Sequence, residues 1–110
     1  MSFDSLGLSS SILEALHKHD FTTAYPIQKQ AIPAILKGMD VLGIAKTGSG
    51  KTLAYVLPLL MNMQASKSKS KDVESLILVP TRELAVQVRE VMEQIKVSLP
   101  ERIKTLAVFG

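Results

Sequence analysis

Eight residues, Ala45-Lys46-Thr47-Gly48-Ser49-Gly50-Lys51-Thr52, constrain this chain more than any other stretch, because apolar runs bracket them: Val41-Leu42-Gly43-Ile44 before and Leu53-Ala54-Tyr55-Val56-Leu57 after. A strand, a glycine-rich turn and a helix in that order make a phosphate cradle. Gly48 and Gly50 open backbone conformations closed to residues with a Cβ, so successive N–H groups converge on one anion, and the following helix adds its N-terminal partial charge. Lys51 supplies a point charge for the β- and γ-phosphates, and Thr52 offers a hydroxyl to a magnesium ion. The first position is Ala45, so the stretch meets the relaxed form of the motif and misses the strict one. The bland alternative is a Gly-Ser turn ahead of a helix; the strand and helix on either side favour the phosphate loop.

The 110 residues bound one domain at most, 46% hydrophobic and 21% charged, a globular composition able to bury a modest core. The net charge of +3 comes entirely from Lys67, Lys69 and Lys71, since the basic and acidic counts are otherwise equal. A nucleic-acid case must therefore rest on local motifs and not on a basic face. No cysteine is present, which excludes disulfides, a thiolate nucleophile and a thiolate metal site and fits the cytoplasm. Met1-Ser2-Phe3-Asp4 is no signal peptide, and the most apolar run, Leu53 to Met61, is broken by Pro58 and too short to span a bilayer, so no membrane partner is expected.

In chain order, Ser9 or Ser11 can cap a helix with Ile12, Leu13 and Leu16 on one face, and Ser11 with Glu14 has capping-box spacing. His17 and His19 end that helix, where a cation suits the dipole. Phe21 to Gln28 reads as a loop entering a second helix with Pro26 in its first turn; Pro33 is expected to cut that helix in two and Gly38 to close it. Val41 to Ile44 reads as a strand covered on both faces. A helix apolar nearly all round, bent at Pro58, runs from Lys51 to about Met63, and residues 64–72 form a flexible loop. Ser75 to Val79 is a second buried strand. Pro80-Thr81-Arg82-Glu83 then opens a helix with Leu84, Val88, Val91, Met92 and Ile95 on one face and Glu83, Gln87, Glu90 and Gln94 on the other. A third strand runs from Thr105 to Phe109. Alternating strands and helices imply right-handed crossovers and a parallel sheet, here only half a domain.

These residues resemble the N-terminal part of a DEAD-box RNA helicase over the entire chain. Ala45 to Thr52 matches motif I in a usual form, including its alanine. Pro80-Thr81-Arg82-Glu83-Leu84-Ala85 matches motif Ia without departure. The adenine-reading Q motif, usually Gly-Phe-x-x-Pro-Thr-x-Ile-Gln with an aromatic seventeen residues upstream, is matched by Phe21, Ile27, Gln28 and the upstream Phe3, while Asp20, Ala24 and Tyr25 replace the usual glycine, proline and threonine. The start close to Phe3 is similar to the compact bacterial members.

The resemblance implies an α/β, three-layer parallel-sheet P-loop NTPase domain of the RecA-like kind, incomplete here: a Q-motif helical region over 1–39, then P-loop strand and helix units over 40–110. It implies ATP and Mg²⁺, held by Phe3, Phe21, Gln28, Thr47, Gly48, Ser49, Gly50, Lys51 and Thr52, with Lys51 and Thr52 on the catalytic side and Thr52 on the metal. It implies RNA held by its backbone at Pro80, Thr81, Arg82 and Gly110. Physical chemistry agrees, since an amide can pair with the N6/N7 edge of adenine and an aromatic face can stack a base. A helix N-terminus bearing a hydroxyl and a guanidinium suits a phosphate backbone. Taken without the family, Gln28 and Phe21 read as a polar helix position and a core anchor, Thr81 as a plain N-cap, and Arg82 with Glu83 as a surface ion pair.

The Asp-Glu-Ala-Asp carboxylates of motif II, the Ser-Ala-Thr motif and a second RecA-like domain with its arginine finger are not in the sequence, so this chain alone is expected neither to hydrolyse ATP nor to unwind RNA. The rival functions are a non-catalytic nucleotide- or RNA-binding module and an unrelated P-loop NTPase.

Overall fold

A computed structural model describes residues 2–46, 50–65, 74–100 and 103–108. Phe3–Ser5 forms a 3₁₀ turn, followed by four helices: α1 (Ser10–Lys18), α2 (Pro26–Leu36), α3 (Lys51–Ala65) and α4 (Arg82–Lys96). α3 sits at the centre. Its Leu53, Val56, Leu57 and Leu60 are buried against Ile12 and Leu16 of α1, Ile32 of α2, and Val88, Met92 and Ile95 of α4. This is what an all-round apolar helix requires, since no face of it gains from water. Among the described residues no helix is long and apolar enough to cross a membrane.

The helix ends follow local chemistry. Ser9, and not Ser11, is the N-cap of α1, its Oγ accepting from the Ile12 N–H at 3.4 Å. The Ser11–Glu14 capping box does not form, because Ser11 Oγ accepts instead from Gln64 Nε2 at 2.9 Å while Ser9 Oγ donates to Gln64 Oε1 at 2.9 Å. A tertiary contact thus overrides a local one, and it places Gln64 on α3 and not in a loop. Ala65 is also on α3, and residues 66–72 of the expected loop, with its lysines, lie outside the described residues.

At the other end of α1 the Phe21 N–H donates to the Leu16 carbonyl at 2.8 Å and the Asp20 N–H to that of His17 at 3.1 Å, a complete Schellman motif. Its left-handed position is Asp20, with φ of 62°. A carboxylate residue tolerates that conformation less well than glycine. Asp20→Gly is therefore expected to stabilise the fold by about 1 kcal/mol, read as a higher urea midpoint at unchanged slope; a lower midpoint would show that the Asp20 side chain stabilises more than its backbone strain costs.

α2 begins on Pro26, as expected, but Pro33 does not cut it. The Lys37 N–H still reaches the Pro33 carbonyl at 3.2 Å, so the helix continues through the proline at the loss of one ladder bond, held by the burial of Ala31 and Ile32 just before it. Gly38, at φ of 83°, closes α2 with a second Schellman motif: its N–H bonds the Ile35 carbonyl at 2.9 Å and that of Met39 the Ala34 carbonyl at 3.2 Å.

The largest departure concerns the sheet. Among the described residues of Val41–Ile44, Ser75–Val79 and Thr105–Phe109 none forms a strand ladder, and these runs are not buried on both faces. Leu76 and Leu78 are exposed while Ile77 and Val79 pack against the core; Leu106 and Val108 are likewise exposed beyond a buried Ile103. Leu42 and Ile44 are exposed too. In the 75–79 and 103–108 runs the period of two survives with one side covered, whereas all four residues of 41–44 are exposed. The continuous hydrophobicity that suggested two-sided burial leaves the other side in water among these residues. The 103–108 segment is tied to α4 by Lys96, whose ammonium donates to the Ile103 carbonyl at 2.8 Å and meets Glu93 at 2.9 Å, and by Thr105, which donates to Glu93. Those two bonds hold the Glu93 carboxyl below its ordinary range, the Thr105 hydroxyl contributing most.

Candidate functional site

α3 begins at the glycine-rich stretch. Gly50 precedes it with φ of 83°, and its carbonyl accepts the Ala54 N–H at 3.4 Å, the first bond of the helix. Lys51 opens the helix and is exposed; Thr52 is half-buried beside it. The first turn of α3 thus carries an exposed lysine and a threonine hydroxyl at the positive end of the helix, residue types that suit a polyphosphate. Thr52 also hydrogen-bonds the Tyr55 hydroxyl one turn on; burial pushes the Tyr55 phenol above its ordinary range and this bond pulls it back in part. Thr47, Gly48 and Ser49 lie outside the described residues. No cluster of three His, Cys, Asp or Glu suited to a metal exists among the described residues.

Gln28 reaches the start of α3 from 22 positions away. Its Nε2 donates to the Gly50 carbonyl at 3.0 Å, and its Oε1 accepts from the Tyr25 N–H at 2.8 Å. The second bond is the backward half of a capping box at the start of α2. At 1% exposure Gln28 is a buried polar residue whose Nε2 and Oε1 each make one bond within the protein, leaving one N–H and one lone pair of the amide for a further partner. The structure thus joins the start of α2 to the start of α3.

The other sequence-nominated residues fall elsewhere. Phe21 is partly buried, packed against the core through the Schellman turn, and Phe3 is a core residue at 3% exposure. Pro80, Thr81 and Arg82 are exposed at the start of α4, where Thr81 Oγ1 caps the helix by accepting from the Leu84 N–H at 3.2 Å. Gly110 lies outside the described residues. One residue that sequence reasoning passed over joins the site: the Tyr25 ring stands where a side chain on Gly50 would go, with Cδ2 2.6 Å from that Cβ position. The sequence signal was its place in the Q motif, where it stands in the usual threonine position three residues before Gln28.

Comparison with known proteins converges on one group. Residues 25–109 match the DEAD/DEAH box helicase family model. The chain is 42% identical over 109 residues to the DEAD-box ATP-dependent RNA helicase RhpA of Helicobacter pylori, covering 99% of this chain and 21% of that protein. It is 39% identical over 110 residues to the ATP-dependent RNA helicase CshA of Limosilactobacillus reuteri, again covering 21% of the relative. Among solved structures it is similar to the RNA helicase Prp28 from Chaetomium thermophilum bound to ADP, with a TM-score of 0.83 at 35% identity over 90% of this chain and 24% of that one. A DEAD box protein from Methanococcus jannaschii gives 0.76 at 37% identity, covering 87% and 26%. The chain spans between 8% and 21% of the length of the curated relatives it matches, 21% for these two.

Proposed function

The chain belongs to the DEAD/DEAH box helicase family, and from that premise we propose that it is the ATP-binding first portion of RecA-like domain 1 of an ATP-dependent RNA helicase acting in the cytoplasm. In this reading residues 1–39 carry the base-recognising helical region and residues 40–110 the phosphate-loop units. The runs at 41–44, 75–79 and 105–109 supply strands of a parallel sheet whose uncovered side is completed by the rest of the domain. The observation that carries the proposal is the contact between the Gln28 amide and the Gly50 carbonyl, which places an adenine-competent side chain directly at the turn where the phosphate-binding helix begins.

Within the site each residue has a task. Lys51 compensates charge on the β- and γ-phosphates, and the α3 N-terminus adds its dipole to the same place. The Thr52 hydroxyl would hold a magnesium ion, which would supply positive charge against the phosphates. Gly50 lets the backbone approach closely. Gln28 reads the base and Phe21 borders it, while Pro80, Thr81 and Arg82, with Gly110, position the RNA backbone without reading sequence. The water-orienting carboxylates of the Asp-Glu-Ala-Asp motif are absent from these residues, so hydrolysis belongs to the whole protein.

The test is nucleotide preference in a chain extended through both RecA-like domains. Gln28→Ala is expected to weaken ATP about tenfold or more relative to GTP, the scale of one bidentate base contact. Equal losses for ATP and GTP would remove the base-reading role, and a wild type that binds neither nucleotide would refute the ATP-binding reading itself.

A further inference from the structure

We propose that Tyr25 is a positioning residue for the phosphate loop: its ring, together with the Gln28 amide that its own backbone N–H anchors, fixes Gly50 in the left-handed conformation from which α3 starts. Three observations carry this. The Tyr25 ring occupies the volume beside the Gly50 Cα that a side chain would take, with Cδ2 2.6 Å and Gln28 Nε2 2.4 Å from the Cβ position. Gln28 spans the two residues, accepting from the Tyr25 N–H at 2.8 Å and donating to the Gly50 carbonyl at 3.0 Å, so one tyrosine touches Gly50 through its ring and, by way of the amide, through its backbone. Gly50 itself stands at φ of 83°.

A glycine in that conformation is poorly restrained by its own sterics, because it populates positive and negative φ about equally. The restraint must come from neighbours. The Gln28 bond fixes where the carbonyl points, and the ring blocks rotation toward its side. The residues that follow, Lys51 and Thr52, take their direction from this one turn, so loosening it shifts the ammonium and the hydroxyl relative to the phosphates. Tyr25 is half exposed, at 50%, so the ring is a plate laid on the loop and contributes little to the core. The proposal rests on the ATP-binding reading above, and it adds a residue whose effect is on the phosphate half of the ligand and not on the base.

The experiment uses inorganic tripolyphosphate and adenosine as separate probes, with ATP as the reference, in the chain extended through both RecA-like domains; affinities come from calorimetry and stability from thermal unfolding. Tyr25→Ala, whose side chain is too short to lie over Gly50 and which removes no cap bond from α2, is expected to weaken tripolyphosphate on the order of tenfold, below the hundredfold that a 1 Å misplacement can cost. Adenosine affinity and Tm should stay at wild-type values. Tyr25→Phe keeps the ring and is expected to restore tripolyphosphate binding to within about twofold of wild type. Unchanged tripolyphosphate binding in Tyr25→Ala would overturn the proposal, as would parallel losses of both probes with a lowered Tm, a loss confined to adenosine, or a failure of Tyr25→Phe to rescue. A wild type that binds tripolyphosphate but not ATP in preference to GTP would refute the ATP assignment while leaving the role of Tyr25 standing; one that binds neither would overturn both.

Discussion

Lys51→Ala is expected to abolish detectable ATP turnover in a chain extended through both RecA-like domains, measured as RNA-stimulated phosphate release. Lys51 is the first residue of α3 and is exposed at the positive end of that helix, where no other described side chain of the phosphate-loop stretch carries a cation toward the phosphates except Lys46 at the far side of the turn. A charge-assisted contact of this kind contributes about 1.5 to 3 kcal/mol. If it acts in the transition state, the upper end of that range is a loss of about a hundredfold or more. Removing the side chain would leave the positive end of α3 to compensate the phosphate charge among the described groups at this turn. Because Lys51 is exposed and no partner of it contributes to the core, the variant should unfold at the wild-type temperature. Turnover at wild-type level would show that Ala45 to Thr52 is a plain turn and helix start.

The second large effect is expected at Gly50. Gly50→Ala places a methyl group 2.4 Å from Gln28 Nε2 and 2.6 Å from the Tyr25 ring, at a φ that side chains rarely adopt. Backbone strain of that type costs about 1 to 2 kcal/mol by itself. The clash must add to it, because contacts under 3.0 Å cannot persist and Gln28 is buried with its Nε2 and Oε1 each bonded within the protein. Either Gln28 leaves Gly50, which releases the turn and strands a buried amide, or the turn moves and carries Lys51 and Thr52 with it. Both routes end in loss of ATP and tripolyphosphate binding together, by about a hundredfold if the displacement reaches 1 Å. Calorimetry with the two ligands checks it. Near-wild-type binding of both would mean that the observed approach of α2 to the loop is not the arrangement that holds nucleotide.

The two effects differ in origin. Lys51 acts through a charge that the motif displays openly in sequence. Gly50 acts through neighbours that only folding supplies.

That difference runs through the whole chain. Sequence alone determined what depends on residues within about four positions of one another: the start of α2 on Pro26, the Thr81 cap of α4, the closing turn at Gly38, the all-round apolar α3, and the order of the motifs. These rest on backbone bonds and side-chain periods of fixed short reach, so the residue types suffice. Tertiary structure decided what depends on distant partners. Ser9 caps α1 and Ser11 does not, because Gln64 of α3 arrives to claim the Ser11 hydroxyl. Pro33 stays inside α2, because buried Ala31 and Ile32 hold the helix across the missing bond. Phe3, nominated for the ligand, went to the core, since an aromatic ring gains as much from burial as from stacking and sequence does not say which surface is near. The apolar runs at 41–44, 75–79 and 105–108 show the same limit, because hydrophobicity records that a face is to be covered and not which segment covers it. Gln28 and Tyr25 meet Gly50 for a reason no local rule contains: α2 packs on α3, and a glycine is the one residue that leaves room for both.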